Sequence, residues 1–257
     1  MTLILGHRGA SSFFPENTAE AFLKAIELGA DGIELDVRLT SDCFLVVHHD
    51  PQLRDGRDIS QVAASSLPGS VILLSAALDA CGESFVNIEI KNDVDDQSFT
   101  KDGPGIPELL KIVRTRSNLK NRILVSSFDG ACLEIIRELD AEILIGYLFS
   151  DQNFEQALQY ALDMGFNALH PADKLVDQFR VNDAQNEGLA VCVWTVDDEE
   201  RLGELVAMGV DCVITNFPDL ARRAANSYDK SGQTKRSFSG TQVNFKDETS
   251  PKKSPSS

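Results

Sequence analysis

Four short stretches of this chain carry side chains able to move a proton or hold an ion, and each lies at the end of an apolar run. His7-Arg8 follows Leu3 to Gly6, Glu34 and Asp36 lie within Gly32 to Asp36, His48-His49-Asp50 follows Val46-Val47, and Glu89 and Lys91 bracket Ile90. Residues two apart on an extended segment point the same way, so Glu34 and Asp36 share a face. If Glu89 joins them from the next strand, three carboxylates within ~5 Å repel by several kcal/mol per pair at an effective dielectric of about 20, and the cluster needs a cation. An all-oxygen donor set suits one Mg²⁺ or Ca²⁺ rather than zinc. A lone Glu-x-Asp pair is more often a salt-bridged strand end; Glu89 and two nearby histidines turn the reading toward an ion site.

Imidazole titrates nearest neutral pH, which makes His7 and His49 the candidate acid and base, a pair able to exchange roles across a phosphodiester. Arg8 and Lys91 place positive charge beside the acids, where a phosphoryl oxygen would sit, and also pair with those acids. Asn17, in Pro15-Glu16-Asn17-Thr18, either starts the first helix or turns its amide to a ligand. Trp194 either floors an alcohol pocket or packs in the core. His48 and His170 read as hydrogen-bonded structure, and Phe128 as packing.

The elements that must position these groups follow a βα rhythm, the pattern of a parallel sheet flanked by helices. Eight strands are expected: Leu3 to Gly6, Gly32 to Asp36, Phe85 to Ile90, Ile123 to Ser126, Ile143 to Tyr147, Ala168 to His170, Ala190 to Thr195 and Cys212 to Thr215. Helices are expected between them, among them Thr18 to Leu28, Ala131 to Leu139, Glu155 to Met164 and Glu199 to Met208, with Gly29, Gly165 and Gly209 as left-handed caps. Asp36 and Val46 are too close in sequence for a crossover helix, so Glu34 to His49 reads as a β-hairpin turning near Ser41-Asp42. A two-residue turn would set Glu34 opposite His49 and Asp36 opposite Val47, with His48 pointing away.

With 257 residues, 42% of them hydrophobic and 25% charged, the chain has the size and composition of one globular domain of the (β/α)₈ type. A net charge of −16 argues against a nucleic-acid partner. No apolar stretch is long enough to span a bilayer. The apolar run Met1 to Leu5 has no basic leader, and five scattered cysteines form no CxxC pair, which points to a reducing cytoplasm. After Asn226 the composition turns to Ser, Thr, Lys and Pro. Residues 227–257 read as a disordered tail of net charge +3, with Ser250 and Ser254 as candidate phosphorylation sites, leaving 1–226 as the folded domain. Nothing in the sequence sets the oligomeric state.

The ordered motifs His7-Arg8-Gly9, Pro15-Glu16-Asn17-Thr18, Glu34-Leu35-Asp36-Val37 with Thr40 and Asp42, Val47 to Asp50, Asn87 to Lys91 and Val193-Trp194-Thr195-Val196 resemble the glycerophosphodiester phosphodiesterase family over about Leu3 to Pro218. The resemblance implies a TIM barrel with a small hairpin insertion after the second strand, and a small-molecule glycerophosphodiester as substrate. It implies His7 and His49 as the acid/base pair, Glu34, Asp36 and Glu89 as ligands of a divalent metal, and Arg8 and Lys91 holding the phosphate. It also implies a route in which the substrate's own glycerol hydroxyl attacks phosphorus and water then opens the cyclic phosphate. The chain departs from the family at Leu53 to Asp58, where an Arg-Thr-Thr type segment and a longer covering loop are usual. Two other readings are a barrel that binds a phosphorylated ligand without cleaving it, and a lysophospholipase D type activity. The second would need exposed apolar surface at the barrel mouth, and the sequence shows no amphipathic basic segment for it.

Overall fold

The computed structural model describes residues 2–96, 99–101, 103, 105–116 and 122–230. Eight parallel strands close into a barrel: β1 (Leu3–His7), β2 (Gly32–Leu39), β4 (Phe85–Ile90), β5 (Ile123–Ser127), β6 (Leu144–Phe149), β7 (Ala168–Pro171), β8 (Ala190–Val193) and β9 (Cys212–Thr215). Pairing of β1 with both β9 and β2 completes the ring. The eight expected strands are all present, seven of them within two residues at each end, while β2 runs three residues further than expected, to Leu39. Helices α1 (Ala19–Glu27), α2 (Leu74–Cys81), α3 (Ile106–Arg114), α4 (Gly130–Leu139), α5 (Phe154–Asp163), α6 (Gln178–Asn186), α7 (Glu199–Met208) and α8 (Pro218–Lys230) run between and after the strands.

Alternation along each strand divides the core. Leu5, Phe85, Leu124, Ala190, Cys192 and Ile214 fill the barrel interior, while Ile4, Ile33, Ile88, Val125, Val191 and Val213 join the helices in an outer layer. Thr18 accepts a hydrogen bond from the Ala21 N–H and caps α1, which buries Ala21, Phe22 and Ala25. Gly9 has φ 84°, and a Cβ there would stand 2.6 Å from the Ala21 carbonyl carbon, so α1 reaches the loop after β1 only because that position is glycine. Gly209 ends α7 in the left-handed conformation, as its place after Met208 suggests.

The hairpin exists, but its register differs from the expected one. Val37 pairs with Val47, Arg38 with Val46 and Leu39 with Leu45 in β3 (Leu45–Val47), and the His48 N–H donates to the Asp36 carbonyl. The turn is longer than two residues because Thr40 Oγ1 accepts the Phe44 N–H and donates to Asp42 Oδ1, and Cys43 sits at φ 64°. The domain boundary also moves. Helix α8 runs through Asn226 to Lys230, and the expected tail beyond it, residues 231–257 with Ser250 and Ser254, lies outside the described residues.

Candidate active site

Two neighbouring strands bring the three acids together at the C-terminal mouth of the barrel, where this architecture places catalytic groups. Glu34 and Asp36 come from β2 and Glu89 from β4, with Asp36 paired to Glu89 in the strand register. All three are buried, and one oxygen from each lies within 4.8 Å of the others. Burial, then the charge of Asp36, pushes the Glu34 carboxyl up to about 8; burial pushes Glu89 up to about 7, opposed by Lys91. Asp36 is also disfavoured by burial, but Lys91, Arg8 and His49 together hold it below the usual carboxylate range.

Cations and amides brace the cluster. Lys91 Nζ bonds Glu89 Oε1 closely and lies 3.1 Å from Asp36 Oδ1, so one ammonium bridges two strands. Arg8 Nε stands 3.1 Å from Asp36 Oδ2, and its other end donates to both oxygens of Glu16. The Arg8 backbone N–H donates to Glu34 Oε2 at 3.0 Å, while Glu34 Oε1 is buried with no hydrogen-bond partner. Asn17 turns its whole amide to Asp36: Nδ2 donates to Asp36 Oδ2 at 2.8 Å, and Oδ1 accepts the Asp36 N–H at 3.4 Å. Helix capping falls to Thr18 instead. Arg8 (φ 57°) and Asn17 (φ 60°) both occupy the left-handed region, where a non-glycine residue costs of order 1–3 kcal/mol. The Asn17 N–H donates to the Arg8 carbonyl, so the two strained residues hold each other beside the acids.

The two expected proton carriers lie on different elements. His7 ends β1 with Nε2 4.0 Å from Glu34 Oε2 and Nδ1 2.8 Å from Asn216 Oδ1; burial, then the charge of Arg8, holds its pKa below the ordinary value. His49 lies past β3, its Nδ1 2.7 Å from Asp50 Oδ1 and its carbonyl accepting Arg38 Nε at 2.6 Å. Burial, then Lys91, lowers its pKa, and it feels the charges of Asp36 and Arg8 as well. His48 instead bonds the Asp50 carbonyl. The chain leaves the ladder after Val47, so the two adjacent imidazoles bond different atoms of Asp50. Trp194 donates to the His170 carbonyl at 2.7 Å and meets the edge of Phe128 at 5.4 Å.

The three acids fit a divalent cation. Their donor atoms are oxygens, two of the carboxyls are pushed toward neutrality by burial and then by the charge of the neighbouring acids, and Glu34 Oε1 is an orphaned buried acceptor. The short segment after Asp50 forms two 3₁₀ turns, Ile59–Gln61 and Ala64–Ser66, closed by a Gln52–Asp58 bridge over Val46, Leu53 and Ile59. Between it and the hairpin lies a cavity lined in part by Arg38, Thr40, Asp58, Ser60, Lys91 and Thr100. Sequence reasoning passed over Glu16, Asp197 and Asn216; the last ends β9 as His7 ends β1, a strand-end signal that was there to be used.

The chain matches the model of the glycerophosphoryl diester phosphodiesterase family over residues 7–220. It is 32% identical to a glycerophosphodiester phosphodiesterase of Caldanaerobacter subterraneus subsp. tengcongensis, across 85% of this chain and 95% of that protein. Among solved structures it resembles a glycerophosphodiester phosphodiesterase of Thermotoga maritima (28% identity, TM-score 0.74, covering 87% of this chain and 98% of that one). In fold it also resembles an Oleispira antarctica phosphodiesterase solved with sn-glycerol-3-phosphate (24% identity, TM-score 0.77, covering 88% and 97%). With a barrel closed over this arrangement of acids and a match spanning nearly all of it, the chain belongs to the glycerophosphoryl diester phosphodiesterase family.

Proposed function

We propose that this chain hydrolyses soluble glycerophosphodiesters, such as glycerophosphocholine or glycerophosphoethanolamine, to glycerol 3-phosphate and an alcohol. The observation that carries the reading is the convergence of Glu34, Asp36 and Glu89 beside Lys91, Arg8 and His7 at the barrel mouth. Glu34, Asp36 and Glu89 would hold one Mg²⁺ or Ca²⁺, which when bound supplies Lewis-acid stabilisation of charge on a phosphoryl oxygen. Arg8 and Lys91 are already oriented by the acids and offer donors to the same phosphate. In the first step one imidazole takes the proton of the substrate's own glycerol hydroxyl as its oxygen bonds to phosphorus. The other gives a proton to the departing alkoxide as the P–O bond breaks. In the second step the roles reverse: water loses a proton to the now neutral imidazole, attacks phosphorus, and the ring oxygen leaves protonated. His7, at the end of β1, and His49, past β3, are assigned those roles. Asn17 acts on the substrate by fixing Asp36. Trp194 and the cavity beside Lys91 are the candidate surfaces for the glycerol and alcohol ends.

The buried free thiols Cys81, Cys132, Cys192 and Cys212 suit a reducing compartment, and we place the protein in the cytoplasm. Among the described residues no helix is long and apolar enough to cross a membrane. Purified protein assayed for glycerol 3-phosphate release from a panel of glycerophosphodiesters with Mg²⁺, Ca²⁺ and Mn²⁺ tests the proposal. No turnover with any pairing refutes it. One observation favours the lysophospholipase D reading. Phe13 is 51% exposed and Phe14 39% exposed on the loop after His7, which gives the barrel mouth apolar surface that the sequence had not suggested. A higher kcat/KM for lysophosphatidylcholine than for glycerophosphocholine, lost in a Phe13→Ser, Phe14→Ser variant, would establish it.

A further inference from the structure

A chain of groups with fixed hydrogen-bonding roles ends on His7. Asp197, in the loop after β8, accepts Asn216 Nδ2 at 2.6 Å, the Asn216 backbone N–H at 2.8 Å and the Thr215 hydroxyl at 3.1 Å. Thr215 is free to donate there because its oxygen already accepts the Phe217 N–H at 3.0 Å. An ionised carboxylate only accepts, so the end of the Asn216 amide that faces it must be the NH₂. The other end, Oδ1, faces His7 Nδ1 at 2.8 Å and Ser11 Oγ at 2.6 Å. A carbonyl oxygen only accepts, so His7 Nδ1 must carry the hydrogen. In the neutral ring that leaves the lone pair on Nε2, the nitrogen that faces Glu34.

We propose that Asn216, locked by Asp197, is a positioning residue that holds His7 as the Nδ1–H tautomer, so that Nε2 presents its lone pair to the reacting hydroxyl. In the opposite tautomer Nε2 would carry the hydrogen and leave no base on that side. The use of that lone pair rests on the proposed two-histidine reaction, but the tautomer does not.

The test uses the full chain labelled with ¹⁵N-histidine, with the His7 ring signals identified by their loss in His7→Gln. The wild type is expected to show a protonated Nδ1 and a bare Nε2 in its neutral form. Asn216→Ala should give mixed or reversed tautomers, with kcat lowered roughly 10- to 100-fold and KM within about twofold. The exchange Asp197→Asn with Asn216→Asp reverses the donor and acceptor between the pair while still presenting an acceptor to Nδ1, and should restore the wild-type signature. An unchanged His7 signature in folded Asn216→Ala, or its failure to return in a folded exchange variant, would overturn the proposal. Should the chain turn over no glycerophosphodiester, the nitrogen spectra still decide the tautomer, so the two failures are told apart.

Discussion

Replacing Glu34 by Gln separates an ion site from a structural salt-bridge cluster, because the two predict opposite signs for one measurement. The Glu34 carboxyl is almost wholly buried and pushed up to about 8 by burial and by Asp36, and it keeps one oxygen without a partner. Its folded pKa lies above the unfolded value, so its contribution to stability is full below pH 4.5 and is lost as the pH rises toward 8. At about 1.4 kcal/mol per unit, the charged form costs ~4 kcal/mol at pH 8. Because the amide that replaces the carboxyl is itself buried and must find partners, about 2 kcal/mol is the gain expected for Glu34→Gln in the metal-free protein. For a chain of this size that is roughly 4–8 °C in Tm. In the wild type, Mg²⁺ or Ca²⁺ at 100 times its Kd should add about 2.7 kcal/mol, and the variant should lose most of that increment. Melting curves at pH 8 in EDTA and in each metal, repeated near pH 4.5 where the metal-free gain should vanish, make the comparison. A lower Tm for the variant in EDTA, or an undiminished metal increment, would show that the carboxylate serves its ion pairs instead.

His49→Ala should lower kcat by roughly 10²- to 10⁴-fold while the Mg²⁺-induced rise in Tm persists; unchanged turnover of glycerophosphocholine would exclude His49 from proton transfer. Asp211, whose carboxyl burial pushes up to about 7, accepts the Val191 N–H and Gln185, so its stabilising influence is lost as pH climbs from about 4 to about 7. Asp211→Asn should flatten that fall in urea titrations, and an equally steep fall in the variant would exclude Asp211 as its source. Gly146→Ala places a Cβ 2.4 Å from His170 Nε2 and should cost ~1–3 kcal/mol of overpacking, read as a lower urea midpoint at unchanged m-value.

Much of the barrel was legible along the chain because its signals are local. Apolar runs of strand length alternate with capped amphipathic segments, and the polar residue closing each run lands at the mouth: His7, Glu34, Asp36, Glu89 and Lys91 were found in that way. Asn216 obeys the same rule but was overlooked, since an amide closing a strand carries no chemistry of its own until its neighbours are known. The hairpin register was misjudged because a turn's length depends on what its side chains bond, here Thr40 to Phe44 and Asp42. The change of composition near Asn226 hid the last turn of α8, whose inner face packs Ala221, Ala225 and Tyr228 on the barrel helices.

From the sequence alone came the kinds of group and the strands that bear them, since side-chain periodicity and residue chemistry need no distant partner. Only the closed barrel decided which groups meet. Contact of His7 with Asn216 spans 209 residues and depends on β9 pairing with β1. The different partners of His48 and His49 depend on where β3 leaves the ladder, and the strained Arg8 and Asn17 persist because Asp36 and Glu34 arrive from another strand to hold them. Such contacts have no local signature: they form only when many weak packing interactions close the ring together.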